Sequence, residues 1–233
     1  MLSVSNLTVF YGKIKALEKI SLTVGVGELV SVIGGNGAGK TTLVKSIMGL
    51  LPIKEGKVLF KGTDLSAVKP WERVQHKIAY VPEGARVFRD LTVKENLKMG
   101  AFSRKDNQIE EDLEQIYLLF PRLKNRSGQI AGTLSGGEQQ MLAIARCLML
   151  RPQLLLIDEM SIGLMPVLIS KLFELIKDLA SRNISILLIE QNAKKALEIS
   201  HRGYLLENGQ VLLSGESKVL MKDSRVKSAY LGG

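Results

Sequence analysis

Gly34, Gly35, Asn36, Gly37, Ala38, Gly39, Lys40, Thr41 and Thr42 run as G-x-x-x-x-G-K-T, and Asp158 and Glu159 stand side by side at the end of an apolar run. Each residue type in the first group suits one task in holding phosphate. Glycines at 34, 37 and 39 permit backbone conformations closed to residues with a Cβ, so that successive N–H groups converge on phosphate oxygens. Lys40 supplies a point charge against the outer phosphates, Thr41 a hydroxyl for Mg²⁺, and Thr42 a further phosphate contact. The carboxylates supply the remainder: Asp158 to hold Mg²⁺ beside Thr41, directly or through water, and Glu159 to take a proton from the attacking water. The plainer alternatives are a glycine-rich turn and a strand end that happens to be acidic. The occurrence of both groups in one chain favours a triphosphate.

The elements around these residues agree. Leu29–Ile33 reads as a buried strand and residues from Leu43 onward as a helix with Val44, Ile47 and Met48 on one side, so the loop lies where a strand ends and a helix begins. The helix adds its positive end to the anion site. Residues 154–157 are a continuous apolar run, the signature of a central parallel strand, and the carboxylates that follow are its anomaly. Upstream, alternation over residues 2–9 and 16–24, joined at Tyr11, Gly12 and Lys13, predicts an antiparallel β layer. Tyr11 sits at that turn, where stacking on an adenine ring is favoured over plain packing because the phosphate loop is near. Strands are also predicted over 57–60, 78–81 and 185–190, with a short helix begun by Pro70 and a hairpin turning at Asn208-Gly209. Pro82-Glu83-Gly84 lies at a strand's carboxyl end, where open α/β sheets gather ligand groups. Glu83 is there either a metal or water contact or a solvated loop carboxylate, and spacing alone does not separate the two.

Residues 91–150 read as successive helices, at 93–99, 109–120 and 136–150, with no strand between them, which predicts a helical subdomain inserted in the sheet domain. The last is introduced by Ser135, Gly136, Gly137, Glu138 and Gln139. Ser135 followed by Glu138 is a capping box, a sufficient structural explanation for those two residues. Two glycines in a first turn weaken a helix, and they make sense if a ligand approaches the backbone there; an anion on the helix end is the natural candidate. The tail reads as a short amphipathic helix through Leu231 bearing Lys218, Lys222, Arg225 and Lys227.

With 233 residues, 45% of them hydrophobic, the chain has material for one sizeable core, and disorder is excluded. A formal charge of +9 is spread among acidic residues rather than gathered in a block, and it leaves nucleic acid, acidic lipid and nucleotide all open as partners. The single Cys147 excludes an internal disulfide and favours a reducing compartment. No apolar run approaches the roughly 18 residues of a spanning helix. Met1 leads straight into a strand pattern rather than a signal peptide, so the expectation is a soluble, cytoplasmic chain.

The order of these motifs resembles the ATP-binding subunit of an ABC transporter over the whole chain. Leu134-Ser135-Gly136-Gly137-Glu138-Gln139 is the most specific element of the resemblance, since phosphate loops occur in many families. Val81-Pro82-Glu83-Gly84, Leu119-Phe120-Pro121-Arg122-Leu123, Glu190-Gln191-Asn192-Ala193 and Ser228-Ala229-Tyr230-Leu231-Gly232-Gly233 are similar to one branch, the ATPases of branched-chain amino acid importers. The resemblance implies an α/β fold with a P-loop NTPase (RecA-like) sheet core (1–90 and 151–233), an N-terminal antiparallel β layer and a helical signature subdomain (91–150). It implies ATP and Mg²⁺ as ligands, with Thr41, Asp158 and Glu83 on the metal and Glu159, Lys40, Gln191 and Glu83 in hydrolysis. It also implies head-to-tail pairing with a second ABC ATPase, as homodimer or heterodimer, so that Ser135, Gly136, Gly137, Glu138 and Gln139 close over the partner's ATP. Transmembrane permease subunits would dock at residues 83–92, bounded by Glu83 and Thr92, with Arg86, Val87 and Phe88 as contacts. A solute-binding protein would act only indirectly. The implied location is peripheral, on the cytoplasmic face of the inner or plasma membrane.

Three positions depart from the general family pattern. Glu83 stands where most members have Gln, which exchanges a donor-acceptor for an ionised acceptor. Gln191 stands where His usually donates to the γ-phosphate, and its amide can still donate. Met160 replaces the usual proline. The first two departures recur in the amino-acid branch. Competing readings are an importer ATPase for urea, amides or other solutes, and a soluble ABC ATPase acting on nucleic acid or ribosomes. The second usually needs paired ATPase units or long coiled-coil insertions that this chain lacks, and no nucleic-acid partner is expected.

Overall fold

The structure, a computed structural model, describes residues 1–231, so Gly232 and Gly233 of the terminal motif lie outside the described residues. An antiparallel sheet of order β2-β1-β4-β5 is built from β1 (Leu2–Tyr11), β2 (Ile14–Val24), β4 (Glu55–Phe60) and β5 (Thr63–Asp64). A second sheet runs β10-β9-β3-β8-β7-β6, from β3 (Leu29–Ile33), β6 (Ile78–Val81), β7 (Leu154–Asp158), β8 (Ser185–Glu190), β9 (Arg202–Glu207) and β10 (Gln210–Glu216). Its neighbours are parallel except β9 with β10, which form the hairpin turned by Asn208 and Gly209, both at positive φ as a two-residue turn of that kind requires.

β3, β7 and β8 are buried along their whole length, because helices cover one face of this sheet and the antiparallel layer covers the other. One apolar cluster lies between the two sheets and takes Leu43, Val44 and Ile47 from α1 (Lys40–Ile47). The other lies on the far face and runs into the helical section, joining Ile157 and Leu188 to Leu97, Leu113 and Leu142. That section holds α3 (Val93–Gly100), α4 (Ile109–Leu119), α5 (Pro121–Lys124) and α6 (Gly136–Leu148), after the short α2 (Pro70–Arg73). An isolated antiparallel bridge, Thr92 with Ile130, also falls there. The remaining α-helices are α7 (Pro166–Ser181), α8 (Ala193–Ile199), α9 (Ser217–Leu220) and α10 (Ser224–Val226), the last continued by a π-helical turn over Lys227–Leu231.

The tail is therefore not the single amphipathic helix expected. Asp223 accepts the N–H of Arg225 at 2.9 Å, a local turn that competes with helix continuation, and Leu220 and Val226 are buried on either side of it. Lys218, Lys222, Arg225 and Lys227 remain exposed.

Arg73, on α2, is 1% exposed and forms no ion pair among the described residues. Its guanidinium instead donates to the carbonyls of Val68 (2.9 Å), Ser46 (3.2 Å), Ile47 and Leu65, so it caps the C-terminal end of α1, the helix whose other end carries Lys40. Gly49, at φ 73°, leaves the space that the guanidinium fills. Arg73→Ala strands these oxygens in the core and is expected to lower stability by about 3 kcal/mol. Arg73→Lys, lacking the planar fork, recovers only part of that. Urea unfolding is the measurement; midpoints equal to the parent for both variants would contradict the capping role.

Candidate functional site

The predicted site residues outside the Ser135 motif belong to turns, strand ends and the first turn of α1. The parallel register sets Ile33 beside Glu190 and Asp158 beside Ile189, so the loops after β3, β7 and β8 emerge together. Gly34 is required by packing, since a Cβ there would stand 2.3 Å from the carbonyl oxygen of Leu206. Gly39 is required by conformation: it caps α1 at φ 103° and offers no side-chain hydrogen bond, which leaves the first N–H groups of the helix free.

Lys40 is buried. Its Nζ donates to the carbonyl of Gly35 at 2.8 Å and pairs with Glu159 Oε1 at 2.8 Å. Thr41 Oγ1 donates to Asp158 Oδ1 at 3.2 Å, and Tyr80 OH donates to Asp158 Oδ2 at 3.0 Å. Burial pushes the Asp158 carboxyl above its ordinary range; the bonds from Tyr80 and Thr41 pull it back, while Glu159 and Glu83 push it further up. The Tyr80 phenol is raised as well, by burial and then by Asp158, so it stays a donor throughout the physiological range. Tyr80 escaped the sequence reading. The signal available was a lone tyrosine in an apolar strand just before Pro82-Glu83, which pattern alone assigns to packing.

Lys40, Thr41 and Glu159 border a cavity of about 680 Å³, within the ordinary range of small-molecule pockets, and Asp158 lies behind its wall on the Thr41 hydroxyl. Tyr11 and Thr42 share one wall, their hydroxyls 3.5 Å apart, and the ring of Tyr11 is half exposed. Asn36, Gly37, Gly39 and Glu83 also line the cavity, and the hairpin turn at Asn208-Gly209 closes its side. Gln191 does not line it: the residue is exposed at the end of β8, and its carbonyl accepts the N–H of Ala193 at 2.8 Å.

A divalent cation suits this corner. Asp158 is a fully buried carboxylate with two further acidic groups near it and a hydroxyl on each oxygen. No cluster of three ligating side chains exists among the described residues, so a hard cation here takes its remaining oxygens from phosphate and water, as Mg²⁺ does.

Met160, the third departure, now has an account. Its side chain is wholly buried in the core under the helical section, and Glu159 before it adopts φ 45°. A proline at 160 would bias residue 159 toward extended backbone.

The Ser135 tip is built as its capping box predicts. Ser135 N donates to Glu138 Oε2 at 3.0 Å, Ser135 Oγ to the same oxygen at 2.8 Å, and Arg126 holds Glu138 Oε1 at 3.1 Å. Gln139 turns back onto the carbonyl of Leu134 at 3.0 Å. A Cβ on Gly137 would meet the tip of the Leu168 side chain at 2.6 Å, a contact that a change of leucine rotamer relieves, while Gly136 faces open space. Ser135 and Gly136 are exposed, and the tip borders a separate hollow beside Phe120 and Leu168 rather than the phosphate cavity of its own chain.

On another face, Phe88, Trp71 and Met99, all well exposed, line an apolar groove of about 440 Å³. Arg146 stacks on the Phe88 ring at 4.9 Å and donates to the Arg86 carbonyl at 2.8 Å. Of the three expected contact residues, Phe88 lies on the groove, Arg86 is exposed beside it, and Val87 packs toward the core. Trp71, read from sequence only as part of a short helix, is the largest apolar surface there.

Residues 17–161 match the family model described as ABC transporter. The high-affinity branched-chain amino acid transport ATP-binding protein BraG of Pseudomonas aeruginosa is 45% identical over 233 residues, all of both chains. The ADP conformation of MJ1267, an ATP-binding cassette of an ABC transporter, superposes with a TM-score of 0.88 at 28% identity, over 100% of this chain and 99% of that one. The dimeric post-hydrolysis state of the cassette MJ0796, bound to ADP and Pi, superposes with a TM-score of 0.83 at 26% identity, over 93% and 99%.

Proposed function

The chain belongs to the ABC transporter family and is an ATP-hydrolysing subunit of it, and from that premise we propose that it powers uptake of branched-chain amino acids through separate membrane subunits. The observation that carries the reading is the convergence of Lys40, Thr41 and Glu159 on one cavity, with Asp158 bonded to Thr41 at its wall, in a chain 45% identical throughout to an ATP-binding protein named for that transport.

ATP lies with its phosphates over residues 34–42 and its base toward Tyr11. The phosphates compete with Glu159 for Lys40, so binding frees the Glu159 carboxylate. Water then attacks the γ-phosphorus, its proton passes to Glu159, and the bond to the β–γ bridging oxygen breaks to release ADP. Thr41 and Asp158 hold Mg²⁺, which when bound neutralises phosphate charge; Tyr80 fixes the Asp158 carboxylate so that one oxygen stays turned to Thr41. Glu83 adds a carboxylate at the rim, and Gln191 approaches the γ-phosphate when the cavity closes.

The Ser135–Gly136 tip is exposed and does not line its own phosphate cavity, so a second ABC ATPase supplies the equivalent tip across a head-to-tail interface, and the dimeric relative bound to ADP and Pi supports this arrangement. Residues 91–150 form the unit that carries the tip. The groove of Trp71, Phe88 and Met99 takes a helix of the permease, which puts the chain on the cytoplasmic face of the membrane. No helix among the described residues is long and apolar enough to cross it.

The test is to purify the chain together with its accompanying membrane subunits and binding protein, and to measure ATP turnover against a panel of solutes. Leucine, isoleucine or valine should raise turnover severalfold. Stimulation by urea, amides or unrelated solutes alone would overturn the substrate assignment.

A further inference from the structure

The backbone that presents Glu159 is itself an unusual piece of chain. Glu159 follows β7 in the left-handed region at φ 45°, a conformation that costs a non-glycine residue on the order of 1 kcal/mol or more and persists only where its surroundings hold it. One hold is visible at once: Glu159 N–H donates to the carbonyl of Ile189 on β8 at 2.9 Å. Two residues on, a second is made by a side chain. Glu190, wholly buried at the last position of β8, accepts the Ser161 N–H on Oε1 at 3.1 Å and the Ser161 hydroxyl on Oε2 at 2.6 Å. The stretch 159–161 is thus pinned at both ends to β8, the strand that leads into Gln191. Beyond Ser161 the Ile162 carbonyl accepts Gln140 Nε2 of α6 at 3.4 Å, and the Leu164 N–H donates back to the Ser161 carbonyl at 3.3 Å.

A buried carboxylate is expensive to keep unless its oxygens are bonded, and a packing role would be filled better by an apolar residue. Here both oxygens are spent on one residue of a neighbouring loop, and that loop begins with the proposed base. We propose that Glu190 and Ser161 are positioning residues for hydrolysis: their paired hydrogen bonds hold the left-handed turn that aims the Glu159 carboxylate at the attacking water. The inference rests on the assignment of Glu159 as the base. Neither residue lines the phosphate cavity.

Ser161→Ala removes the hydroxyl and leaves the N–H bond to Glu190. Because small displacements of a reacting group are costly, turnover should fall about 10- to 100-fold. The KM for ATP and the affinity for ATP should stay within about twofold, since the phosphate loop is untouched. Ser161→Thr, which keeps the hydroxyl, should restore most of the rate. Glu190→Gln should lower turnover too, and the double variant Ser161→Ala/Glu190→Gln should fall no further than the worse single change, because one interaction is being removed twice. A purely structural tie predicts otherwise: a lower melting temperature with turnover unchanged per folded molecule, or losses that multiply in the double variant. Either result would overturn the inference. Glu159→Gln serves as the reference. If it abolishes turnover while Ser161→Ala keeps the parental rate, the positioning role fails alone; if Glu159→Gln leaves turnover intact, the base assignment fails with it.

Discussion

Lys40→Ala is expected to weaken ATP binding by at least about 100-fold and to abolish turnover at millimolar nucleotide. The side chain is 3% exposed and its ammonium already has two acceptors, the Gly35 carbonyl and Glu159, both at 2.8 Å. It is therefore a pre-placed charge in a poorly hydrated site, where a charge-assisted hydrogen bond is worth more than on the surface. The same substitution has a second consequence that makes the experiment discriminating. Removing one partner of a buried pair leaves the other charge uncompensated, which costs roughly 3 kcal/mol or forces protonation. Lys40→Ala should accordingly lower stability as well as affinity. The double variant Lys40→Ala/Glu159→Gln should recover the stability, having no stranded carboxylate, while still failing to bind ATP. Fluorescent-nucleotide titration and thermal unfolding measure the two effects separately. ATP affinity within a fewfold of the parent would remove Lys40 from the binding site.

The same ion pair shows what was and was not legible in the chain. The glycine loop could be read because its function is local: consecutive residues supply the N–H groups, the lysine and the hydroxyl. β3, β7 and β8 could be read because a strand buried on both faces has no polar position to break its apolar run. Asn208-Gly209 carried its hairpin in two letters. What stayed hidden involves residues far apart in sequence whose types are ordinary. Tyr80 looks like a strand aromatic until its hydroxyl is found on Asp158. Arg73 looks like a surface cation on a short helix until its guanidinium is found across the carbonyls that end α1. Gly137 looks like its neighbour Gly136, yet it is buried against Leu168 while Gly136 is exposed. In the tail, a cationic stripe suggested one helix, while a single Asp223 turn sufficed to break it. In each case a tertiary contact or a side-chain-to-backbone bond overrode a periodic signal.

Glu159→Gln tests the chemistry instead of the grip. Turnover should fall about 10²- to 10⁴-fold, the range associated with loss of a general base, since an amide cannot take the proton of the attacking water. ATP affinity should be retained or improved. Glu159 is paired with Lys40, so that bound phosphates would compete with it, and it adds negative charge near Asp158 and on the cavity wall that Glu83 shares. Glutamine relieves both while preserving side-chain length, and it asks no more of the φ 45° backbone than glutamate does. If a partner's Ser135 tip closes over bound ATP, a variant that binds without hydrolysing should accumulate as a dimer in Mg²⁺ and ATP and fall apart when ATP is withdrawn. Light scattering after size exclusion reports the dimer, and phosphate release reports turnover. Glu159→Asp separates charge from reach. It keeps the carboxylate but draws it back by one methylene, so turnover should remain low even though a base is present. Parental turnover in Glu159→Gln would dismiss the residue as base. Lost turnover with no dimer would leave the base in place and count against the head-to-tail site.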